Sequence, residues 1–390
     1  MTAVEPATPT ASPVAYRHLY LHVPFCARRC SYCDFSIVVR PQVPVREYLA
    51  GVEQELTVRR GARDAALTLD TLYLGGGTPS RLGAEGITEL LAILRRFADV
   101  ADDVEVTLEA NPEDITPDAV RAWRDAGINR LSIGVQSFDD RVLQWMHRVH
   151  DAAMTERAVA IARGGGLDAY SLDLIFALPE MLERDWSADL ERLLALAPDH
   201  VSLYGLTVEP HTPLGRWAAR GTVDEAPEER YEAEFLEAHA RLRASGFEHY
   251  EVSNFSQPGR RARHNSAYWR GVPYLGVGPS AHGYDGAARR WNVSAYTAWL
   301  AATARGEDPR AGEEILTADN RIAEAVYLGL RTTDGLVLAE EEVAAVAPWI
   351  SAGWMEWIGE PSARHVRCTP LGWLRLDTLA AALTSLRSHS

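Results

Sequence analysis

The sequence predicts an α/β fold: a partial (β/α)6 barrel of the TIM type, followed by a small helical, winged-helix-like carboxy-terminal domain. Short apolar runs alternate with amphipathic helical stretches through the first part of the chain. This alternation is typical of parallel strands joined by right-handed helical crossovers. Polar motifs mostly follow the strands directly, where α/β barrels place their active sites, so we favour a barrel over an open doubly wound sheet.

The individual elements are predicted from hydrophobic pattern and from helix-end signals. Strands are expected at residues 19–23, 71–74, 104–108, 130–135, 169–175 and 201–206, and helices at 46–60, 84–97, 117–126, 151–163, 185–196 and 228–244. Thr116 before Pro117 is a helix cap followed by proline at the first helical position. The three glycines at 164–166 permit left-handed backbone and predict a helix end.

These patterns divide the chain into four parts. Residues 1–15 contain Glu5 and three prolines but no basic residue, which predicts a disordered tail rather than a signal peptide. Residues 16–226 form the barrel, and 227–310 form a bridging segment that is irregular and rich in aromatic residues and glycine. Residues 311–390 show helices at 320–330 and 338–347, a turn-and-strand pattern at 366–376 and a closing helix. Because residues 311–390 have no excess of basic residues, we interpret this region as a cap or docking module rather than a DNA-binding domain.

The charge balance excludes several classes of function. The 390 residues include 54 acidic and 39 basic side chains, for a net charge of −15. This argues against a broad nucleic-acid or anionic-membrane surface. Every basic residue is Arg, so a Walker A lysine and a pyridoxal Schiff base are both excluded. The sequence contains no run of about 18 uncharged apolar residues, so it predicts no membrane span, and we expect a cytoplasmic protein.

Three of the four cysteines lie within eight residues, in the pattern C-x3-C-x2-C directly after the first predicted strand. In a reducing compartment such a group indicates a metal site more than a disulfide framework. Thiolates from Cys26, Cys30 and Cys33 can ligate three corners of a [4Fe–4S] cube and leave the fourth iron open for a small molecule.

The surroundings of this motif bear on the choice of metal. Arg28 and Arg29 are expected to offset the negative charge of the thiolates. A zinc knuckle is the alternative, but structural zinc needs four ligands, and His22, the candidate for the fourth, is on the strand rather than the loop. The remote Cys368 is predicted to be a small buried hydrophobe.

The cysteine motif after the first barrel strand resembles the radical S-adenosylmethionine (SAM) superfamily, in which SAM chelates the open iron and one electron cleaves its sulfonium. A wider set of blocks resembles the oxygen-independent coproporphyrinogen oxidase family. In chain order these blocks are YLHVPFC at 20–26, LGGGTPS at 74–80, LEANPED at 108–114, RLSIGVQSF at 130–138, HRVH at 147–150 and DLIFALP at 173–179.

The resemblance implies a SAM site at the carboxyl ends of the strands. The SAM contacts that it implies are Tyr20, Tyr32, Gly76, Gly77, Thr78, Glu109, Gln136, Arg148 and Asp173. The glycines let the backbone approach a ligand closely, and Glu109 suits ribose hydroxyls. Arg148 suits a carboxylate, and Asp173 suits a hydroxyl or amine. The alternatives are hydrogen bonds that close the barrel rim and, for the tyrosines, ordinary core packing.

Two departures from the oxidase pattern point to one subgroup. Phe35 stands where the oxidases have a further cysteine, and only a short tail precedes the barrel. Both features match the HemW subgroup, regarded as haem chaperones, as does the segment RHNSAYW at 263–269, which fits that subgroup's HNxxYW signature and is followed by GVGPSAHGY at 276–284. The resemblance implies haem as a further ligand. We therefore expect coproporphyrinogen oxidase activity to be absent, and we assign no catalytic residue.

The HNSAYW segment supplies the candidate haem ligand. His264 offers an imidazole for haem iron, with Tyr268 and Trp269 as flat partners for a porphyrin, and we expect the segment to border the barrel mouth. The alternative is a packed histidine in the bridging segment, and His22 and His282 are competing imidazoles.

Three functions remain open at this point. The first is a haem chaperone that uses an electron donor and delivers haem to acceptor haemoproteins, with membrane respiratory enzymes among the candidates. The second is oxidative decarboxylation of coproporphyrinogen III in porphyrin biosynthesis. The third is an unrelated radical SAM reaction such as methyl transfer, which has no sequence support beyond the cysteine motif.

Overall fold

The computed structural model describes residues 14–61 and 67–388, so most of the predicted tail lies outside the described residues. The strands are β1 (His18–Val23), β2 (Phe25–Cys26), β3 (Val38–Val39), β4 (Leu67–Gly76), β5 (Ala98–Ala110), β6 (Arg130–Gln136), β7 (Ala169–Phe176), β8 (His200–Gly205), β9 (Glu248–Glu251), β10 (Asn254–Ser256), β11 (Leu275–Val277), β12 (His282–Tyr284), β13 (Ala288–Asn292), β14 (Arg310–Ile315), β15 (Leu336–Val337), β16 (Met355–Trp357) and β17 (His365–Cys368).

The α-helices connect these strands. They are α1 (Val45–Gly61), α2 (Gly83–Phe97), α3 (Pro117–Ala126), α4 (Asp140–Trp145), α5 (Ala152–Gly164), α6 (Trp186–Ala195), α7 (Pro213–Ala218), α8 (Glu228–Ala244), α9 (Arg263–Trp269), α10 (Tyr296–Ala304), α11 (Ala318–Arg331), α12 (Val343–Ser351), α13 (Pro370–Trp373) and α14 (Leu376–Ser388). In the part of the chain that is described, no helix is long and apolar enough to cross a membrane.

Six parallel strands form the predicted partial barrel. They are neighbours in the order β1, β4, β5, β6, β7 and β8, and each is followed by at least one helix. The short strand β11 adds to β1 in parallel, whereas β10 and β9 continue beyond β8 in antiparallel pairs. In the sheet order of the described residues, β11 and β9 are the two free edges, so the barrel is open along one side.

Each barrel strand alternates between an apolar outer face and a polar inner face. In β1, Leu19, Leu21 and Val23 are almost completely buried in the main hydrophobic core, which the helices cover. Between them, Tyr20 faces the barrel interior, where its ring stacks on Tyr73 of β4. Successive side chains of a strand point to opposite faces, so this alternation gives the barrel a polar lumen.

The predicted elements agree closely with the observed ones. The strands expected at 71–74 and 104–108 are longer, covering Leu67–Gly76 and Ala98–Ala110. The Thr116 side chain accepts a hydrogen bond from the Ala119 amide at 3.2 Å, as its predicted role as a helix cap requires. Helix α5 ends at Gly164, and Gly166 has a left-handed φ of 74°.

The bridging segment closes the amino-terminal end of the barrel. The backbone amides of Arg263 and His264, at the start of α9, donate to the Glu105 carboxylate at 3.0 and 2.9 Å. Glu105 is in register with Thr71, which is in register with His18 at the first position of β1. The expectation that the HNSAYW segment borders the barrel mouth is therefore wrong, because its anchoring carboxylate lies at the opposite end of the strands.

The carboxy-terminal part contains the predicted succession of helices and strands. Its three-stranded antiparallel sheet has the order β15, β17, β16, and α11 packs against α14. It is attached to the barrel side through Glu251, whose fully buried carboxylate lies 3.0 Å from the Arg331 guanidinium of α11. The Trp373 indole also donates to the Leu330 carbonyl at 3.1 Å, which ties α13 to the end of α11.

Candidate functional site

A cavity of about 470 Å³ opens at the carboxyl ends of the barrel strands. Most of the residues that the sequence predicts for cluster or SAM binding line it, namely Cys26, Cys30, Tyr32, Cys33, Gly76, Gly77, Thr78, Glu109, Gln136, Arg148 and Asp173. We call it the mouth cavity. Tyr20 is not among its lining residues; its ring stacks on the lining residue Tyr73, and its hydroxyl lies 3.1 Å from Nδ1 of His22.

The cysteine loop is held by backbone hydrogen bonds from three directions. The Val38 amide donates to the Pro24 carbonyl at 2.7 Å, which begins the short pairing of β2 with β3. The Ser31 amide donates to the Met146 carbonyl after α4 at 3.1 Å, and its carbonyl accepts from the Leu214 amide of α7 at 2.8 Å. These bonds fix the loop that carries Cys26, Cys30 and Cys33 without using their side chains.

The glycines at the end of β4 make room for this loop. A Cβ on Gly77 would lie 2.8 Å from the Pro24 carbonyl and 3.0 Å from Sγ of Cys26. Gly76 has a φ of 115°, and a Cβ there would lie 2.7 Å from the His22 ring. The Gly-Gly-Gly-Thr motif is therefore needed to bring β4 against the cysteine loop, in addition to any contact with a ligand.

Arg148 is a half-buried cation in the wall of the mouth cavity. Its guanidinium donates to the Asn111 side-chain oxygen at 2.6 Å and to the Gly134 carbonyl at 2.8 Å, and it lies 3.5 Å from the Cys30 sulfur. Arg28 and Arg29 are exposed. The expectation that these two arginines offset the thiolate charge is incomplete, because Arg148 is the guanidinium in contact with a cysteine sulfur.

Two of the three cysteine thiols, those of Cys26 and Cys33, lose their protons less readily than usual because they are buried. Burial raises the pKa of Cys26 to about 11, and burial also raises the pKa of Cys33. Iron binds thiolates, so a cluster assembled on these residues would displace the protons. Within residues 14–61 and 67–388, no three His, Cys, Asp or Glu side chains surround one point as ligands of a single ion. A cubane fits this arrangement, because each thiolate binds a separate iron atom.

Glu109 is a half-buried carboxylate near the end of β5. It accepts hydrogen bonds from the Tyr73 hydroxyl at 2.8 Å and from the Gly76 amide at 3.0 Å. Burial raises its pKa to about 7, and the negative charge of Asp173 adds to the shift. A carboxyl with this pKa is close to half ionised at neutral pH, and it can accept a hydrogen bond from a ligand hydroxyl.

Gln136 and Asp173 line the cavity from β6 and β7, the next two strands of the sheet after β5. Asp173 accepts hydrogen bonds from Ser132 at 2.9 Å and Ser171 at 3.2 Å, and burial raises its pKa. Gln136 has a φ of 69°, a left-handed backbone conformation, and it follows an irregularity in the pairing of β6 with β7. Such strained backbone is found most often at ligand-binding sites.

His264 is not among the residues that line this cavity, although its ring stacks on the lining residue Tyr73 with centroids 5.1 Å apart. His264 is fully buried on α9, its Nδ1 lies 2.7 Å from the Thr71 hydroxyl, and its Nε2 lies 2.7 Å from the Tyr268 hydroxyl. It packs as an ordinary core histidine, which is the alternative that the sequence left open. Iron ligation by His264 stays a prediction and would require the ring to give up one of these hydrogen bonds.

The other two candidate imidazoles, those of His22 and His282, do not line the mouth cavity either. Both ring nitrogens of His22 have partners, the Tyr20 hydroxyl and the Ser36 carbonyl. His282 is exposed, and its ring stacks on Trp291 with centroids 6.0 Å apart. Cys368 is buried in β17, outside the residues that line the mouth cavity.

Several lining residues were missed by the sequence reasoning. The most important is Asn111, which links Arg148 to the Thr78 hydroxyl, 3.5 Å from its amide nitrogen. Glu113, Ser132, His147 and Tyr204 also line the cavity. Asn111 could have been found, because it lies two residues after Glu109 and so points to the same side of the chain at the strand end.

Comparison with known proteins gives the family. Residues 20–193 match the Radical SAM superfamily. A protein of Synechocystis named heme chaperone HemW is 34% identical over 360 residues, covering 87% of this chain and 86% of its own length. Heme chaperone HemW of Mycobacterium tuberculosis is 40% identical over 328 residues, covering 82% and 83%. This chain belongs to the HemW family of radical SAM proteins.

The solved structures agree with this assignment at the level of the fold. Coproporphyrinogen III oxidase (HemN) from Escherichia coli, described as a radical SAM enzyme, superposes with a TM-score of 0.79 and 24% identity, covering 97% of this chain and 92% of its own. This chain and that structure therefore share the same fold over nearly their whole lengths. The predicted resemblance to the oxidase-like family and to its HemW subgroup is confirmed.

Proposed function

We propose that this protein is a haem chaperone that carries a [4Fe–4S] cluster and SAM in the mouth cavity and delivers haem to acceptor haemoproteins. The observation that carries this proposal is the identity of 34–40% over more than four fifths of the chain to proteins named heme chaperone HemW. The electron donor in this proposal is an electron-transfer protein, and the acceptors are apo-haemoproteins.

The mouth cavity has the chemistry that both cofactors need. Cys26, Cys30 and Cys33 would hold the cluster, with Arg148 offsetting the charge of the thiolates. Bound together, cluster and SAM supply one-electron cleavage of the sulfonium. Glu109 would accept hydrogen bonds from the ribose, and Asp173 would orient a hydroxyl or amine of the same ligand.

Phe35 supports the chaperone over the oxidase. It takes the place of the further cysteine of the oxidase pattern, and its ring lines the mouth cavity with 68% of its surface exposed. An exposed phenyl ring supplies no thiol for chemistry at this position. We therefore expect no decarboxylation of coproporphyrinogen III.

The test uses anaerobically purified, cluster-reconstituted protein in three assays. Titration with haemin should shift the Soret band, mixing the loaded protein with apomyoglobin should transfer the haem, and incubation with SAM, reductant and coproporphyrinogen III should yield no protoporphyrinogen. Robust protoporphyrinogen formation without haem binding would replace the chaperone with the oxidase.

A further inference from the structure

A second cavity, of about 520 Å³, lies at the opposite end of the barrel from the cysteines. It is bounded by α9, by α11 and by strands β15 and β17 of the carboxy-terminal sheet. We call it the basal cavity. Its volume is in the range of sites that enclose a ligand of several hundred daltons. Exposed residues such as Val337 and Arg321 stand on its rim, so a ligand could enter and leave.

The wall contributed by the HNSAYW segment is aromatic. Trp269 lines the cavity, and its indole nitrogen is buried with no hydrogen-bond partner among the described residues. Tyr250, Tyr284 and Leu336 add flat or apolar surface. An aromatic wall suits a planar ligand.

Two of the arginines that line the basal cavity have no salt-bridge partner among the described residues. Arg261 is paired with Asp334 at 3.3 Å, and Glu324 is paired with Arg289 at 2.6 Å. Among the described residues, the other two lining arginines, Arg270 and Arg321, form no salt bridge. Guanidinium groups bind carboxylates through paired hydrogen bonds, so two free ones suit a ligand with two carboxylates.

One imidazole faces this cavity. His365 of β17 lines it next to Val337, and its ring makes no hydrogen bond in the described part of the chain. This differs from His264, His200 and His249, whose ring nitrogens both have partners. A neutral imidazole with a free nitrogen is a common axial ligand of haem iron.

We infer that the basal cavity is the haem site, with His365 as the axial ligand and Arg270 and Arg321 at the two propionates. The inference rests on the proposed function and gives it a location. The HNSAYW segment then acts through Trp269, which lies against the macrocycle, while His264 secures α9 to the barrel. A single imidazole in a cavity open at its rim suits a carrier that must release its cargo.

The experiment compares iron-containing and iron-free ligands on the full chain. Wild type, His365→Ala, His282→Ala and the double variant Arg270→Gln/Arg321→Gln are titrated with haemin and with metal-free protoporphyrin IX. We expect His365→Ala to lose the imidazole-type Soret band and to weaken haemin binding by about tenfold or more, while leaving protoporphyrin binding unchanged. The double arginine variant should weaken both ligands, and His282→Ala should weaken neither.

The possible outcomes distinguish failure of the basal site from failure of the proposed function. Thermal unfolding and cluster content of each variant identify any that fail to fold, and His365→Gln then replaces His365→Ala. Wild-type protein that binds haemin while His365→Ala gives the same Soret band and affinity would overturn the basal site. Loss of the band in His282→Ala would overturn it as well. Wild-type protein that binds no haemin contradicts the proposed function, and the inference with it.

Discussion

At the scale of the residue, the three cysteines differ from the fourth in their surroundings more than in their chemistry. Cys26, Cys30 and Cys33 line one open cavity near the Arg148 guanidinium, whereas Cys368 is enclosed in the carboxy-terminal sheet. Spacing in the sequence was enough to separate the two groups. It could not identify Arg148 as their cationic neighbour, because that contact joins residues 118 positions apart.

This difference predicts how cysteine variants behave. Cys30→Ala should fail to hold a [4Fe–4S] cluster, since no neighbouring side chain can replace the lost thiolate. Cys368→Ala is the matched control and should retain it. Iron and sulfide analysis after anaerobic reconstitution measures both. Full cluster content in Cys30→Ala would contradict the assigned ligands.

Glu109 predicts a pH dependence of stability. Its pKa is about 7 in the folded protein and near 4.5 when unfolded, so the folded state favours the protonated form. The contribution of Glu109 to stability is therefore greatest below pH 4.5 and is lost as the pH rises to about 7. This difference corresponds to a loss on the order of 3 kcal/mol.

Glu109→Gln tests that prediction, because an amide cannot ionise. Chemical denaturation of the cluster-free protein at pH 5 and pH 8 should show a smaller loss of stability in the variant than in wild type. Glu89→Gln, an exposed substitution on α2, serves as the control and should behave as wild type. The same Glu109 variant should bind SAM more weakly at pH 8. Equal pH dependence in wild type and Glu109→Gln would exclude the buried-carboxyl explanation.

At the scale of the element, hydrophobic pattern predicted the six barrel strands and their main helices, because burial repeats along each element. The polar lumen corresponds to an alternation in β1, where His18, Tyr20 and His22 alternate with apolar residues, but the sequence analysis did not predict it. The position of α9 was not predictable in this way. It depends on the Glu105 carboxylate, which binds two amides more than 150 residues away.

At the junction of β4 with the cysteine loop, Gly77 packs so closely that no side chain fits there. Gly77→Ala would place a methyl group against the Pro24 carbonyl and the Cys26 sulfur, so the loop must move. We expect lower cluster occupancy and a stability loss of about 1–3 kcal/mol. Gly164→Ala, where a Cβ meets nothing within 4 Å, should change neither. Iron content and denaturation midpoints of the two variants, measured side by side, test this expectation.

At the scale of the whole molecule, the carboxy-terminal module is attached to the barrel side through a buried ion pair. Arg331→Met would leave the Glu251 carboxylate buried and unpaired, which costs about 3–5 kcal/mol. We expect this variant to unfold at much lower denaturant concentration than Arg364→Met, whose pair with Glu340 is exposed. Similar midpoints for the two variants would show that the ion pair does not hold the module in place.

The two cavities lie at opposite ends of one barrel, and this separation predicts how the ligands interact. The mouth cavity holds the cysteines at the carboxyl ends of the strands, whereas the basal cavity adjoins α9 at their amino ends. The packed lumen between them includes the stacked rings of Tyr73 and His264, and the two cavities share no lining residue.

Saturating SAM should therefore change the affinity for haemin by no more than about twofold, because the two ligands would contact no common residue. Cys30→Ala, which lacks the cluster, should also bind haemin as wild type does. Competition between SAM and haemin in equilibrium titrations would move the haem site to the mouth, where His147 is the available imidazole.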